Sequence, residues 1–263
     1  MKKAVWILLG MIMLGSCGPY QKALNSKDPK KQYHMGSEMF RKGKYNKAER
    51  LLSLAEKSYV SRPEYERLKY MKALSLYHLK QYFSAGYEFR QFTQLFPKST
   101  KTEEADYYIV KCYDKLTPEY YRDLTYGEKT IEEAERFMKT YPDSKFVPEI
   151  KQISRNIIYK FNRKDFENAK LYYDLGYYKS AIKAFNNFLI DHPGSPFKEQ
   201  ALYYRFLAAA ELALNSVESK KEERTRRALE YYEKLKKDFP ESPYLKKAAS
   251  IVRKLKNQQE NGQ

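Results

Sequence analysis

Four segments of this chain end alike, and that repetition limits its fold more than any other feature. Phe96-Pro97-Lys98-Ser99, Tyr141-Pro142-Asp143-Ser144, His192-Pro193-Gly194-Ser195 and Phe239-Pro240-Glu241-Ser242 place their prolines 45, 51 and 47 residues apart. Periods of this size mark arrays of stacked supersecondary units. Twelve residues before each Pro stands a small residue (Ala85, Thr130, Ala181, Ala228), and seven later a large apolar one (Phe92, Phe137, Phe188, Leu235). Seven residues are about two helical turns, so each pair shares one helix face. An aromatic follows the small residue by four in three copies, Phe89, Phe185 and Tyr232. Six residues after the Ser come Ala105, Ala201 and Ala248, with Ile150 in the remaining copy. Pro cannot continue a helix, and Ser or Asp is expected to cap the next one.

The turn inside each unit is also repeated. It reads Gly43-Lys44-Tyr45-Asn46-Lys47-Ala48, Lys80-Gln81-Tyr82-Phe83-Ser84-Ala85 and Gly176-Tyr177-Tyr178-Lys179-Ser180-Ala181. Gly permits the left-handed backbone that ends a helix. Tyr45, Tyr82, Tyr178 and Tyr232 hold repeat positions and are expected in the core. This G-x-Y-x-x-A-x3-F…P order resembles the tetratricopeptide repeat over about residues 30–257, with a longer period than that family's. The resemblance implies an all-α fold: a right-handed superhelical stack of about five helical hairpins plus a C-terminal capping helix. The expected helices are 30–42 with 46–60, 64–80 with 83–95, 102–116 with 129–140, 147–175 with 179–190, and 197–215 with 221–238, then a cap at 244–256. On the cap, Leu245, Ala248, Ala249, Val252 and Leu255 form one apolar face. The expected division is 30–145 for hairpins one to three and 146–257 for the rest, with a disordered tail at 258–263. Thr117–Glu128, carrying Tyr120, Tyr121 and Tyr126, reads as a long loop, either functional or packed on its own scaffold.

The N-terminus carries an address. Lys2 and Lys3 precede an apolar run of 11 residues from Ala4 to Leu14. That is too short to span a bilayer and fits a secretory signal. Leu14-Gly15-Ser16-Cys17 resembles the bacterial lipobox, which implies cleavage before Cys17 and acylation of that residue. Residues 1–16 are then a signal peptide and 17–29 a lipidated tether. Two or more acyl chains anchor stably without a transmembrane helix. With Gly18 after Cys17, the resemblance to such lipoproteins implies the periplasmic face of the outer membrane.

No catalytic or metal site is legible, and no cofactor is expected. His34, His78 and His192 have no His partner at helical spacing, and no Gly-rich phosphate loop or nucleophile motif occurs. Cys112 is read as a small buried apolar side chain. The chain has a net charge of +17, or +15 without Lys2 and Lys3. Such a balance suits an anionic surface or an acidic partner, or simply a solvated face. Secretion argues against nucleic acid.

The whole organisation, including the YPDS and HPGS endings and the GYYKSAIKAFNNFL segment, resembles the BamD family of outer-membrane protein assembly factors. That resemblance implies a non-enzymatic scaffold whose partners are the periplasmic domains of the β-barrel insertase and unfolded outer-membrane proteins, with the membrane reached through the N-terminal lipid. Hairpins one to three offer a candidate substrate-peptide groove in Tyr33, Lys69, Tyr70, Lys72, Tyr77, Arg90, Tyr107 and Tyr108, where the cations suit a terminal carboxylate. Core packing is the competing account of each tyrosine. Candidate partner-binding residues are Tyr120, Tyr121, Lys246, Lys247, Arg253 and Lys254. They accompany a stretch, residues 220–256, with 13 Lys/Arg against 6 Asp/Glu. The alternative is a periplasmic tetratricopeptide lipoprotein that scaffolds cell-wall enzymes or another envelope complex.

Overall fold

A computed structural model of the chain describes residues 18–260, with side chains as far as Gln258. The signal segment 1–16, Cys17 and residues 261–263 lie outside the described residues. Every regular element among the described residues is an α-helix, twelve in all. In chain order they are α1 (Pro19–Leu24), α2 (Pro29–Arg41), α3 (Tyr45–Glu56), α4 (Tyr65–His78), α5 (Tyr82–Leu95), α6 (Thr102–Leu116), α7 (Thr125–Thr140), α8 (Val147–Asp174), α9 (Tyr178–Asp191), α10 (Lys198–Leu214), α11 (Glu218–Asp238) and α12 (Leu245–Glu260). No helix among the described residues is long and apolar enough to cross a membrane.

The chain forms two units. The first takes residues up to Pro118 with Leu124–Ser154, and the second takes Glu119–Asp123 with Arg155–Gln263. The division therefore falls inside α8 rather than at the expected 145/146. In the first unit successive helices pack in order from α2 to α7, which makes three tetratricopeptide-like hairpins. In the second, α9 packs on α10, α10 on α11, and α12 caps both α10 and α11.

Burial follows the repeat. Ala48, Ala85, Thr130, Ala181 and Ala228 are all 0% exposed, and so are Phe92, Phe137 and Leu235. Small residues let the paired helices approach, and each buried Phe or Leu contributes roughly 1.5–3 kcal/mol. Ala105, Ile150, Ala201 and Ala248 are fully buried as well. Cys112 is a buried free thiol, pushed up to about 12 chiefly by that burial. Tyr45, Tyr82, Tyr178 and Tyr232, expected in the core, are only half-buried. Their rings meet Phe40, Tyr77, Tyr173 and Phe206 respectively while part of each side chain stays exposed, as amphipathic side chains do.

Four local expectations change. First, the repeat serines build the turn instead of capping the helix. Ser99, Ser144, Ser195 and Ser242 each accept the backbone N–H two residues on, at 3.0–3.2 Å. Those N–H groups precede the helix, because a hydroxyl on a short stem favours this local ring. Second, α7 starts at Thr125, which shortens the loop to 117–124. Buried Leu124 anchors the start, and Tyr126 joins the first turn, stacked on Tyr113. Third, the tail is helical to Glu260, held by Leu255 at 1% exposure. Fourth, the segment 17–29 contains a helix, α1. Its Ala23 is buried, with Tyr20 and Leu24 packed on the core of the first hairpin. Asp28 then caps α2 by accepting from the Lys30 N–H at 2.9 Å, with Pro29 at the first helical position.

Candidate functional site

In the first unit, α4 and α6 bring tyrosines together. The Tyr77 ring meets Tyr108 edge-on at 4.8 Å and Tyr82 at 5.5 Å. Tyr108 lies flat on Phe89 at 5.1 Å and edge-on to Tyr107 at 5.4 Å. Beside them His78 lies flat on Tyr45, with centroids 4.1 Å apart. Partial burial against Tyr45 pushes the His78 imidazole below its usual value. Tyr77, Tyr108, Tyr45 and Tyr82 are half-buried, which leaves part of each side chain at the surface.

The rim of this platform is a hydrogen-bonded triad. Tyr107 Oη donates to a Glu149 carboxylate oxygen at 2.6 Å and accepts from Lys111 Nζ at 3.0 Å. Lys111 Nζ also stands 3.1 Å from Glu149. Burial first, then the Glu149 hydrogen bond, pushes the Tyr107 phenol up to about 12. The hydrogen bond from Tyr107, joined by Lys111, holds Glu149 below the usual carboxylate range. Lys111 is raised: burial lowers it, but Tyr107 and Glu149 outweigh that. The ammonium lies 5.0 Å from the Tyr107 ring centroid and 6.0 Å from that of Tyr77. Partly exposed rings beside fixed polar groups can seat aromatic and amide groups of an extended polypeptide.

Only part of the expected groove contributes to this platform. Tyr77 and Tyr108 are brought together half-buried, while Tyr107 beside them is buried at 6% exposure, stacked on Phe146 at 4.1 Å. Tyr33 is buried in the first hairpin, stacked on Tyr59 at 4.7 Å. Tyr70 is core, 8% exposed and packed against Phe89 and Phe92, and burial raises its phenol. The expected cations find carboxylates within the fold. Lys69 is 1% exposed, and its Nζ bonds Glu56 at 3.0 Å, Gln91 at 2.8 Å and Glu88. Lys72 Nζ meets Glu56 at 2.6 Å and Glu88 at 2.8 Å. Arg90 pairs with Glu133, which also bonds Arg136 at 2.8 Å. Arg136 in turn holds Asp106 at 2.8 Å. An incoming carboxylate would have to displace these partners, whose pairing offsets the cost of burial.

Lys111, His78, Tyr45 and Tyr82 were absent from the expected groove. Tyr107 and Lys111 are four apart on one helix, which is the local signal that marks them. Their partner Glu149 lies 42 residues from Tyr107 and carries no such signal.

In the second unit, the expected partner-binding residues fall into two groups. Tyr120 is half-buried beneath the Arg163 guanidinium, 4.1 Å from its ring centroid, while Tyr121 is 66% exposed. Lys164 Nζ donates to the Arg122 carbonyl at 2.9 Å and holds this short segment to α8. Lys246, Lys247, Arg253 and Lys254 are exposed on α12. A basic cleft of about 280 Å³ escaped the sequence reading. Lys179, Lys220, Arg224 and Arg227 surround an apolar floor of Ile182, Ala209 and Leu212, with Glu223 the one acid. Lys220, Arg224 and Arg227 lie at i, i+4 and i+7 on α11, so helical periodicity of charge is the signal for them. Arg224 Nη1 is fixed by the Ser216 hydroxyl at 2.5 Å.

Comparison with known proteins places these features in one family. The family model YfiO, described as an outer membrane lipoprotein, matches residues 25–180 and again 163–259. A relative from Aquifex aeolicus (strain VF5), described as a putative outer membrane protein assembly factor BamD, is 29% identical over 220 residues. That alignment covers 82% of this chain and 71% of the relative.

Proposed function

The chain belongs to the YfiO family of outer membrane lipoproteins, and from that premise we propose that it is a non-enzymatic scaffold of the β-barrel assembly machinery. It is anchored by acylated Cys17 at the periplasmic face of the outer membrane. The observation that carries this reading is the family match over 25–180 and 163–259, together with a relative described as an assembly factor over 82% of the chain.

Two surfaces divide the work. The basic cleft on α9–α11 and the cationic face of α12 receive the periplasmic domains of the barrel insertase. Exposed cations around an apolar floor suit an acidic partner with an aliphatic anchor, and they speed its encounter. The tyrosine platform on α4 and α6 receives segments of unfolded outer-membrane proteins, whose alternating aromatic side chains match stacked rings and polar rims.

Depletion of the protein in its own host, followed by measurement of outer-membrane porin levels, tests the reading. Porins should fall while other envelope proteins hold. Unchanged porins, with no insertase on affinity-purified protein, would point instead to a cell-wall scaffold.

A further inference from the structure

The helix α1 places a second basic groove where the membrane has to be. A groove of about 570 Å³ opens between α1 and α2, lined by Lys22, Ala23, Lys31, Met35, Glu38 and Arg41, among others. Its one carboxylate, Glu38, is already held by Lys42 at 2.5 Å. Lys22, Lys31 and Arg41 have no carboxylate within 4 Å among the described residues. Three cations without a carboxylate in ion-pair range therefore face a cavity with an apolar wall of Ala23 and Met35, Arg41 acting on Glu38 only at longer range.

Position decides what fills it. Pro19 follows Cys17 by two residues, a span of at most about 7 Å. The segment between Cys17 and the first hairpin is no loose leash, since Ala23 is 6% exposed and α1 packs on both α2 and α3. With acyl chains on Cys17, Lys22 stands within roughly 15 Å of the lipid, about one to two Debye lengths. A polypeptide ligand would have to compete there with lipid headgroups at far higher local concentration.

We propose that this groove binds the phosphate headgroup of an anionic phospholipid in the leaflet that carries the anchor. The inference rests on the lipid-anchor reading above. Acyl chains supply attachment, and the groove supplies orientation: it fixes the angle at which the first hairpin leaves the bilayer. A basic patch beside an acyl anchor is a recognised second membrane signal.

The test uses the mature chain with Cys17→Ala, so that no acyl chain contributes, and vesicles of phosphatidylcholine with or without phosphatidylglycerol. Sedimentation should show binding only to the anionic vesicles. Each Lys or Arg at such a surface is worth roughly five-fold, so Lys22→Gln, Lys31→Gln and Arg41→Gln together should lower partitioning roughly 100-fold. The same loss of charge at exposed Lys236, Lys237 and Lys256, none of which lines the groove, should change it by less than about three-fold. Equal loss in both triples, or no preference for anionic vesicles, overturns the proposal. The anchor reading is judged separately by mass spectrometry of the wild-type N-terminus, so either can fail without the other.

Discussion

Lys80 stands in the backbone conformation that Gly176 adopts at the equivalent turn, with φ of 60° against 76°. Both close their helix the same way. The N–H one residue beyond reaches back to a carbonyl five before it: Gln81 to Leu76 at 3.0 Å and Tyr177 to Tyr172 at 2.9 Å. Gly43, at φ 68°, makes the third such turn through Lys44 and Met39. A left-handed conformation costs an L-residue roughly 1–2 kcal/mol, of which the extra chain entropy of Gly returns about 0.5–1. Lys80→Gly should therefore stabilise the protein by about 0.5–1 kcal/mol. Gly176→Ala should destabilise it by about 1 kcal/mol. Urea denaturation checks both, and a Lys80→Gly variant less stable than wild type contradicts the account.

The buried pair of lysines gives a second prediction. Lys69 and Lys72 share Glu56 and Glu88 in a closed cluster. Lys69→Met should cost about 3 kcal/mol, because two carboxylates then share one ammonium inside the fold. Glu88→Gln should cost about as much by leaving Lys69 short of charge. Combining Lys69→Met with Glu88→Gln should cost less than the sum of the two, and strict additivity would mean that the pair is not coupled.

How much of this was legible beforehand differs by kind of signal. The positions of Ala48, Ala85, Ala181 and Phe92 recur with the repeat, and periodic spacing is what a sequence displays best. Lys69 shows the opposite. Its residue type belongs on a surface, and its burial is decided by Glu56 and Glu88, 13 and 19 residues away on other helices. Helix α1 has only six residues, too few to show a period, and its fold depends on docking against hairpin one. The repeat serines are expected from sequence as caps of the next helix, one step beyond the turn bond that they make. That step separates a ring within the turn from a helix cap, and composition alone does not distinguish them. The tyrosine platform was legible in Tyr77, Tyr107 and Tyr108, yet the rim of Lys111 and Glu149 joins two helices far apart in sequence.

Acid and base should weaken the first unit through identifiable groups. Burial raises Glu56, but hydrogen bonds from Lys72 and Lys69 outweigh it, and the net shift is downward. A carboxyl lowered by folding contributes stability above its unfolded value near 4.3, and that stability is lost as pH falls through the lower folded value. Lys72 is raised by Glu56 and Glu88 against its burial. Its contribution is complete below about pH 10.4 and is lost as pH rises through the higher folded value. Urea midpoints against pH should show both losses in wild type, and both should shrink in Lys72→Met. A variant that kept the full acid and alkaline slopes would exclude this cluster as their source.

The phenols extend the alkaline arm. Tyr107, Tyr141 and Tyr173 are each held near 12, chiefly by burial. The unfolded chain ionises them from about pH 10, so stability falls between about pH 10 and 12. Tyr107→Phe should cost about 1 kcal/mol at pH 7 through the lost hydrogen bond to Glu149, and it should remove one late step from the ultraviolet titration of tyrosinate. If all late-ionising absorbance remained, Tyr107 would not be among the held phenols.

The basic cleft makes the functional prediction that separates the two surfaces. Lys220→Glu and Arg227→Glu reverse charge on one exposed face of α11 while leaving the fully buried Ala228 and Leu235 in place. Folding should therefore be nearly unchanged, since exposed charges contribute little to stability. Binding of the purified insertase periplasmic domains should weaken by roughly 10- to 100-fold, mostly through slower association, and the wild-type affinity should fall steeply with salt. Tyr77→Ala with Tyr108→Ala should spare that binding and instead weaken capture of an unfolded outer-membrane protein. The two pairs of variants thus have opposite expected profiles. Loss of insertase binding in the tyrosine variant, with none in the charge-reversed one, would exchange the roles of the two surfaces.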